Sequence, residues 1–160
     1  MTILETERLR LRRMTCDDAA FLHELMNEPE FIRNVADRGI TTLADAVRWI
    51  EEKILPGYGR PSFGFHVVEL RGTGVSIGFC GLIKRETLDD VDIGYSILQR
   101  HSGSGYAYEA ASAMMAHGRN VLGLQRIVGL TAPSNAISIR PGQGRIQAPL
   151  RRSPKRLRRG

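Results

Sequence analysis

Residues 8–13, RLRLRR, place Leu9 and Leu11 two apart with arginines between them. That period of two predicts a strand with one buried face. Thr15 three residues before Asp18 resembles a capping box, and the acids Asp17 and Asp18 suit a helix start. Phe21, Leu22, Leu25 and Met26 then form one helical stripe, which Pro29 is expected to end. Leu43, Val47, Ile50 and Ile54 predict a second helix over 42–54, and PGYGRPS (56–62) a loop. Three apolar runs follow, 63–70, 75–85 and 91–98, parted by RGTG and LDD turns, which predict an antiparallel meander. QRHSGSG opens a long helix over about 104–122, with Ala107, Ala110, Ala111, Met114 and Met115 among its apolar positions. A short strand at 125–132 and a helix start at 133–140 complete the order β-α-α-β-β-β-α-β-α. Strand, helix and strand across 91–132 form a βαβ crossover, so the last two strands are parallel. The fold class is therefore α/β: a mixed, mainly antiparallel central sheet flanked by helices.

Charge changes this picture only at one end. Of 23 Lys+Arg, seven lie in 141–160, which has no acid; without them 16 basic residues face 17 Asp+Glu. The body is nearly neutral, which argues against a nucleic-acid-binding face on the domain, although the tail alone has the composition of a basic arm. Cys16 and Cys80 lie far apart with no metal-like spacing, as expected of two free thiols in a reducing cytoplasm. No apolar run reaches the length of a membrane span, and the charged N-terminus does not read as a signal peptide, so a cytoplasmic location is expected.

The candidate chemistry sits in YSILQRHSGSGYAYEA. A strand runs into Arg100-x-x-Gly103-x-Gly105 and a helix begins at once. Glycines let the backbone approach a ligand and take positive φ, and the helix N-terminus offers free N–H groups to an anion such as a diphosphate. Spacing alone also fits a plain β-to-α connection, and it is not the dinucleotide fingerprint. His23, His66 and His117 have no partner at metal spacing; His101 lies in the turn, where surface exposure and a phosphate contact both fit. Trp49 reads as helix core, and Tyr95 and Tyr106 as packing or wall residues.

ETERLRLRR, IGFCGL, DIGYSILQRHSGSGYAYEA and SNAISIR, in this order over residues 3–140, resemble the GNAT N-acetyltransferases, most of all ribosomal-protein N-terminal acetyltransferases of the RimJ/RimL type. The resemblance implies an enzyme that binds acetyl-coenzyme A as cosubstrate, without a metal. Its diphosphate would rest on the amides of Gly103, Ser104, Gly105 and Tyr106, with Arg100 and Ser102 in the same turn. The pantetheine arm would run beside 95–98, along Ile97 and Leu98, and touch Asn135. Ser138 would give a proton to, or hydrogen-bond, the leaving thiolate. A primary amine, of a protein N-terminus or a small molecule, would attack the thioester after losing a proton. Asp92 is the candidate base, the alternative being a solvated acid at a strand head. Two other readings stand beside this one: a nucleic-acid- or ribosome-binding module using the tail, and a catalytically idle coenzyme A-binding protein.

After Asn135-x-x-Ser138 the family pattern continues as roughly Leu-Glu-Lys-Leu-Gly-Phe and two more strands. This chain instead has Pro141, Gly142 and Gly144, which stop a helix, followed by a charged tail of low hydropathy expected to be disordered. The domain therefore spans 1–140 and is incomplete at its end. Its exposed sheet edge invites self-association, a homodimer included, and lowers stability and activity. Codons for Pro-Gly-Gln-Gly-Arg-Ile-Gln, read one nucleotide later, can spell Leu-Gly-Lys-Val-Gly-Phe-Lys. This predicts a frameshift near codon 140, in the gene or in its record. Sequencing the DNA there is expected to show Leu-x-Lys-x-Gly-Phe in the shifted frame; a shifted frame without it removes the idea.

Overall fold

The structure, a computed structural model, describes residues 1–34, 39–59, 63–84, 91–124 and 127–129. Strand β2 (Leu9–Arg13) forms where the alternation predicts it, but it is preceded by β1 (Thr2–Glu5), which pairs with it antiparallel through Leu4 and Leu11. The sequence reading missed β1: TILE is too short to show a period, and it is a strand because β2 offers it an edge. Strands β3 (Gly64–Leu70), β4 (Ser76–Lys84) and β5 (Val91–Ile97) continue the antiparallel meander, and β6 (Ile127–Gly129) adds in parallel to β5. Sheet order follows chain order, β1-β2-β3-β4-β5-β6.

Thr15 and Asp18 do form a capping box: the Asp18 carboxylate accepts the Thr15 N–H at 2.9 Å, ahead of helix α1 (Ala19–Met26). Pro29 does not end this helix, which stops at Met26. It opens the next one, α2 (Pro29–Asn34), taking the first-turn position where a missing N–H costs nothing. Helix α3 (Leu43–Trp49) starts at a second capping box, Thr42 with Asp45, and passes into a wider helical turn over Ile50–Ile54. Leu43, expected on the apolar stripe, is exposed at the first turn. The crossover helix α4 runs over Tyr106–Asn120. Of the strand expected at 125–132 only β6 is described; the helix start expected at 133–140 and the 141–160 tail lie outside the described residues.

Alternation along the strands divides the core in two. Leu9, Leu11, Val68, Cys80, Leu82 and Ile93 meet α4, whereas Val67, Phe79 and Leu98 face α1 and α3 on the other side. Each fully buried Leu or Val contributes about 1.5–3 kcal/mol. Arg12 ties the helical layer to the sheet. Its guanidinium holds Asp18 through two hydrogen bonds, at 2.7 and 3.0 Å, and Glu69 of β3 at 2.5 Å. Those two carboxylates, Asp18 first, keep Arg12 protonated more firmly than an ordinary arginine. Cys16 is half-buried and Cys80 buried, both as free thiols, and burial pushes the Cys80 thiol up to about 12.

His66, on β3, is fully buried between Arg13 of β2 and Cys80 of β4 in the strand register. Neither ring nitrogen has a hydrogen-bond partner among the described residues, and the ring lies 5.2 Å from that of Tyr58. Desolvation lowers its pKa from 6.5 to about 4, with the nearby Gly64 backbone acting the other way. Below pH 6.5 the unfolded chain therefore binds the extra proton and the folded chain refuses it. Stability is expected to fall as pH drops from 6.5 towards 4, by up to roughly 3 kcal/mol from this residue. Urea midpoints at pH 7.5, 5.5 and 4.5 check this: His66→Leu should flatten the acid loss, and an unchanged slope would refute the assignment.

Candidate active site

Strand β5 delivers the chain to the glycine turn. Leu98 is fully buried on the α1/α3 face, and its N–H donates to the Ile77 carbonyl of β4 at 2.7 Å. Antiparallel alternation then turns the N–H and C=O of Ile97 to the opposite edge of β5, the side of β6. Pairing of β5 with β6 is described over Val91–Ile93; what faces Ile97 there lies outside the described residues.

A short helical turn, Gln99–His101, leads to Ser102, whose hydroxyl reaches the Leu98 carbonyl at 3.5 Å. Gly103 and Gly105 then adopt φ of +88° and +85°, the left-handed region that L side chains rarely enter. Gly105 is the N-cap of α4, and its carbonyl accepts the Glu109 N–H at 3.0 Å. Having no side chain, it cannot cap the helix itself, so the first-turn N–H groups face outward, where Gly103 and Ser104 are exposed. A side chain at Gly103 would meet only open space, so the turn is accessible from solvent. Two glycines in positive φ before an uncapped fifteen-residue helix fit a diphosphate.

Two carboxylates of the α1 layer brace this turn. Glu28 accepts the Gln99 N–H at 3.1 and 3.3 Å, and Glu24 pairs with the Arg100 guanidinium. The Arg100 hydrogen bond is the main influence holding the Glu24 carboxyl below its ordinary range. Arg100 is thus placed in the turn as the sequence suggests, but its cation is directed to α1.

The other side of the turn is held by residues the sequence reading did not single out. Thr6 donates its hydroxyl to Glu109 at 2.5 Å, while the Arg8 N–H and Nε reach the same carboxylate at 3.1 and 2.7 Å. Burial works to raise the Glu109 carboxyl, but the Thr6 hydroxyl and the two Arg8 donors outweigh it and hold it low. The Arg8 guanidinium stacks 4.5 Å above the Tyr106 ring. An acid in the first turn after a glycine turn was visible, but its partners lie 101 and 103 residues away.

Asp92 lies six residues before Leu98, roughly 20 Å along an extended strand. It is 2% exposed, facing Ile83 and Val128 in register, so the solvated-acid alternative is corrected. Strands β4 and β6 flank β5 on both sides there. Tyr95 and Tyr106 pack against the α4-side core, and Trp49 against the other. Asn135 and Ser138 lie outside the described residues. Among the described residues no His, Cys, Asp or Glu group is placed to hold a metal, and no helix is long and apolar enough to cross a membrane.

The family profile of the acetyltransferase (GNAT) domain matches residues 8–141. The chain belongs to the GNAT acetyltransferases. YkkB of Bacillus subtilis (strain 168), an uncharacterized protein, is 32% identical over 87% of this chain and 81% of its own length. The uncharacterized N-acetyltransferase p20 of Bacillus licheniformis is 31% identical over 88% and 79%. Among solved structures, an acetyltransferase from Agrobacterium tumefaciens superposes with a TM-score of 0.71 at 27% identity, over 86% of this chain and 78% of its own. RimL, a ribosomal L7/L12 α-N-protein acetyltransferase solved with coenzyme A, shares the fold with a TM-score of 0.73 at 16% identity, over 86% and 78%. This GNAT chain is an acetyltransferase with its glycine turn at the β5–α4 junction.

Proposed function

We propose that this GNAT chain transfers the acetyl group of acetyl-coenzyme A to a primary amine. The observation that carries the reading is the turn in which Gly103 and Gly105 hold positive φ at the uncapped start of α4. Relatives of the same fold add support: RimL was solved with coenzyme A, and a spermidine N-acetyltransferase from Vibrio cholerae with coenzyme A and spermine.

In this reading the amides of Gly103, Ser104, Gly105 and Tyr106 bind the diphosphate, and Arg100 and Ser102 shape the turn. Ile97 presents its outward edge to the pantetheine arm, with Leu98 fixing the strand end and Asn135 meeting the arm from the chain beyond β6. The thioester supplies the acyl group. The amine nitrogen bonds to its carbonyl carbon, the carbon–sulfur bond breaks, and Ser138 hydrogen-bonds the departing thiolate or gives it a proton that solvent restores to the serine. Asp92, enclosed on β5, takes the amine proton directly or through water. The acceptor is a protein N-terminus or a small amine. The domain ends near residue 140, and the basic tail stands outside the catalytic role.

Saturating acetyl-coenzyme A is expected to raise the melting temperature. A hundredfold excess over Kd stabilises by about 2.7 kcal/mol, on the order of 5–10 °C for a chain of this size. Thiol release, followed with peptides and small amines in the same samples, should exceed hydrolysis for at least one amine. No thermal shift would overturn the reading; a shift without acceptor-dependent thiol release would leave a cofactor-binding protein that does not turn over.

A further inference from the structure

We propose that Arg8 is a phosphate ligand of the cosubstrate, and so selects for its phosphorylated half; this rests on the acetyl-coenzyme A reading above. Three observations converge on Arg8. Its position is fixed from two directions, by Glu109 at its backbone N–H and Nε and by the Tyr106 ring beneath its guanidinium. Its Nη2 lies 3.4 Å from where a side-chain carbon on Gly105 would stand, so the cation borders the glycine turn itself. Glu109 engages only the Nε side, and neither Nη atom donates to a partner among the described residues.

A guanidinium has five N–H donors in a planar fork, and the edge left open is the one that matches a phosphate. The turn's other cation cannot take this part in the same conformation, because Glu24 holds both terminal nitrogens of Arg100. Arg8 is also prepared to act: stacking and the Nε bond restrict its rotamers before any ligand arrives, which reduces the entropy lost on binding. Glu109 keeps the cation from repelling the positive end of α4 without covering its reactive edge. The phosphate belongs either to the diphosphate or to the ribose 3′-phosphate, and both have the same donor chemistry.

The test measures Kd by calorimetry for coenzyme A and for 3′-dephospho-coenzyme A, with wild type, Arg8→Gln, Arg8→Lys and Thr6→Val. It adds kcat/KM with S-acetylpantetheine, which carries no phosphate. Loss of one charge-assisted contact predicts a roughly ten- to hundredfold weaker Kd in Arg8→Gln, with partial rescue by Arg8→Lys. A loss confined to coenzyme A identifies the 3′-phosphate. An equal loss with both nucleotides but none with S-acetylpantetheine identifies the diphosphate. Thr6→Val loosens the Glu109 contact without removing the cation and should leave the discrimination between these ligands unchanged. The proposal is overturned if Arg8→Gln binds both nucleotides as wild type does. It is equally overturned if Arg8→Gln loses all three ligands alike, or if Thr6→Val reproduces its pattern, since Arg8 would then be a scaffold residue only. Wild type binding neither nucleotide would instead refute the cosubstrate reading itself.

Discussion

A single carboxylate, that of Glu109, gathers the Thr6 hydroxyl, the Arg8 amide and the Arg8 guanidinium onto the first turn of α4. These donors come from the link between β1 and β2, at the far end of the sheet order from β5. The contact therefore fixes the direction of the crossover helix across the sheet, and with it where the glycine turn can stand. Helix packing alone would locate α4 less sharply, because Met114, Met115 and the alanines beside them tolerate small sliding motions. A hydrogen-bonded, partly buried carboxylate tolerates far less, because leaving it unpaired costs the desolvation of a charge.

The opposite flank is set in the same way. Glu24 and Glu28 hold Arg100 and the Gln99 amide, so the turn is suspended between α1 and the β1–β2 link. The layer supplying Glu24 and Glu28 is itself anchored to β2 and β3 by Arg12 through Asp18 and Glu69. Polar clamps thus align the two helical layers, while the apolar clusters supply most of the burial. The acetyltransferase assignment depends on the family match; the position of the glycine turn depends on these clamps.

What the sequence revealed was whatever depends on neighbours along the chain. Leu9 and Leu11 marked β2, Thr15 with Asp18 marked a helix start, and Gly103 with Gly105 marked the turn, each within a few residues. What it concealed depends on partners far away. β1 is a strand because β2 offers an edge, and the burial of Asp92 shows only in the folded sheet. Pro29 was ambiguous in principle: the residue that cannot continue one helix is well suited to begin another, and the sequence pattern does not say which. Arg8 lay inside the stretch that carried the family resemblance, yet only the fold places it beside Gly105, 97 positions later in the chain.

Amide hydrogen exchange, read over peptides covering 99–112 and 64–84 with and without coenzyme A, tests the central claim most directly. Bound coenzyme A should slow exchange across 99–112, where the turn and first helical turn present their N–H groups, and leave 64–84 nearly unchanged. In Glu109→Gln, 99–112 should exchange faster even before the ligand is added. Ligand protection mapping elsewhere, with 99–112 unaltered in both proteins, would contradict the account.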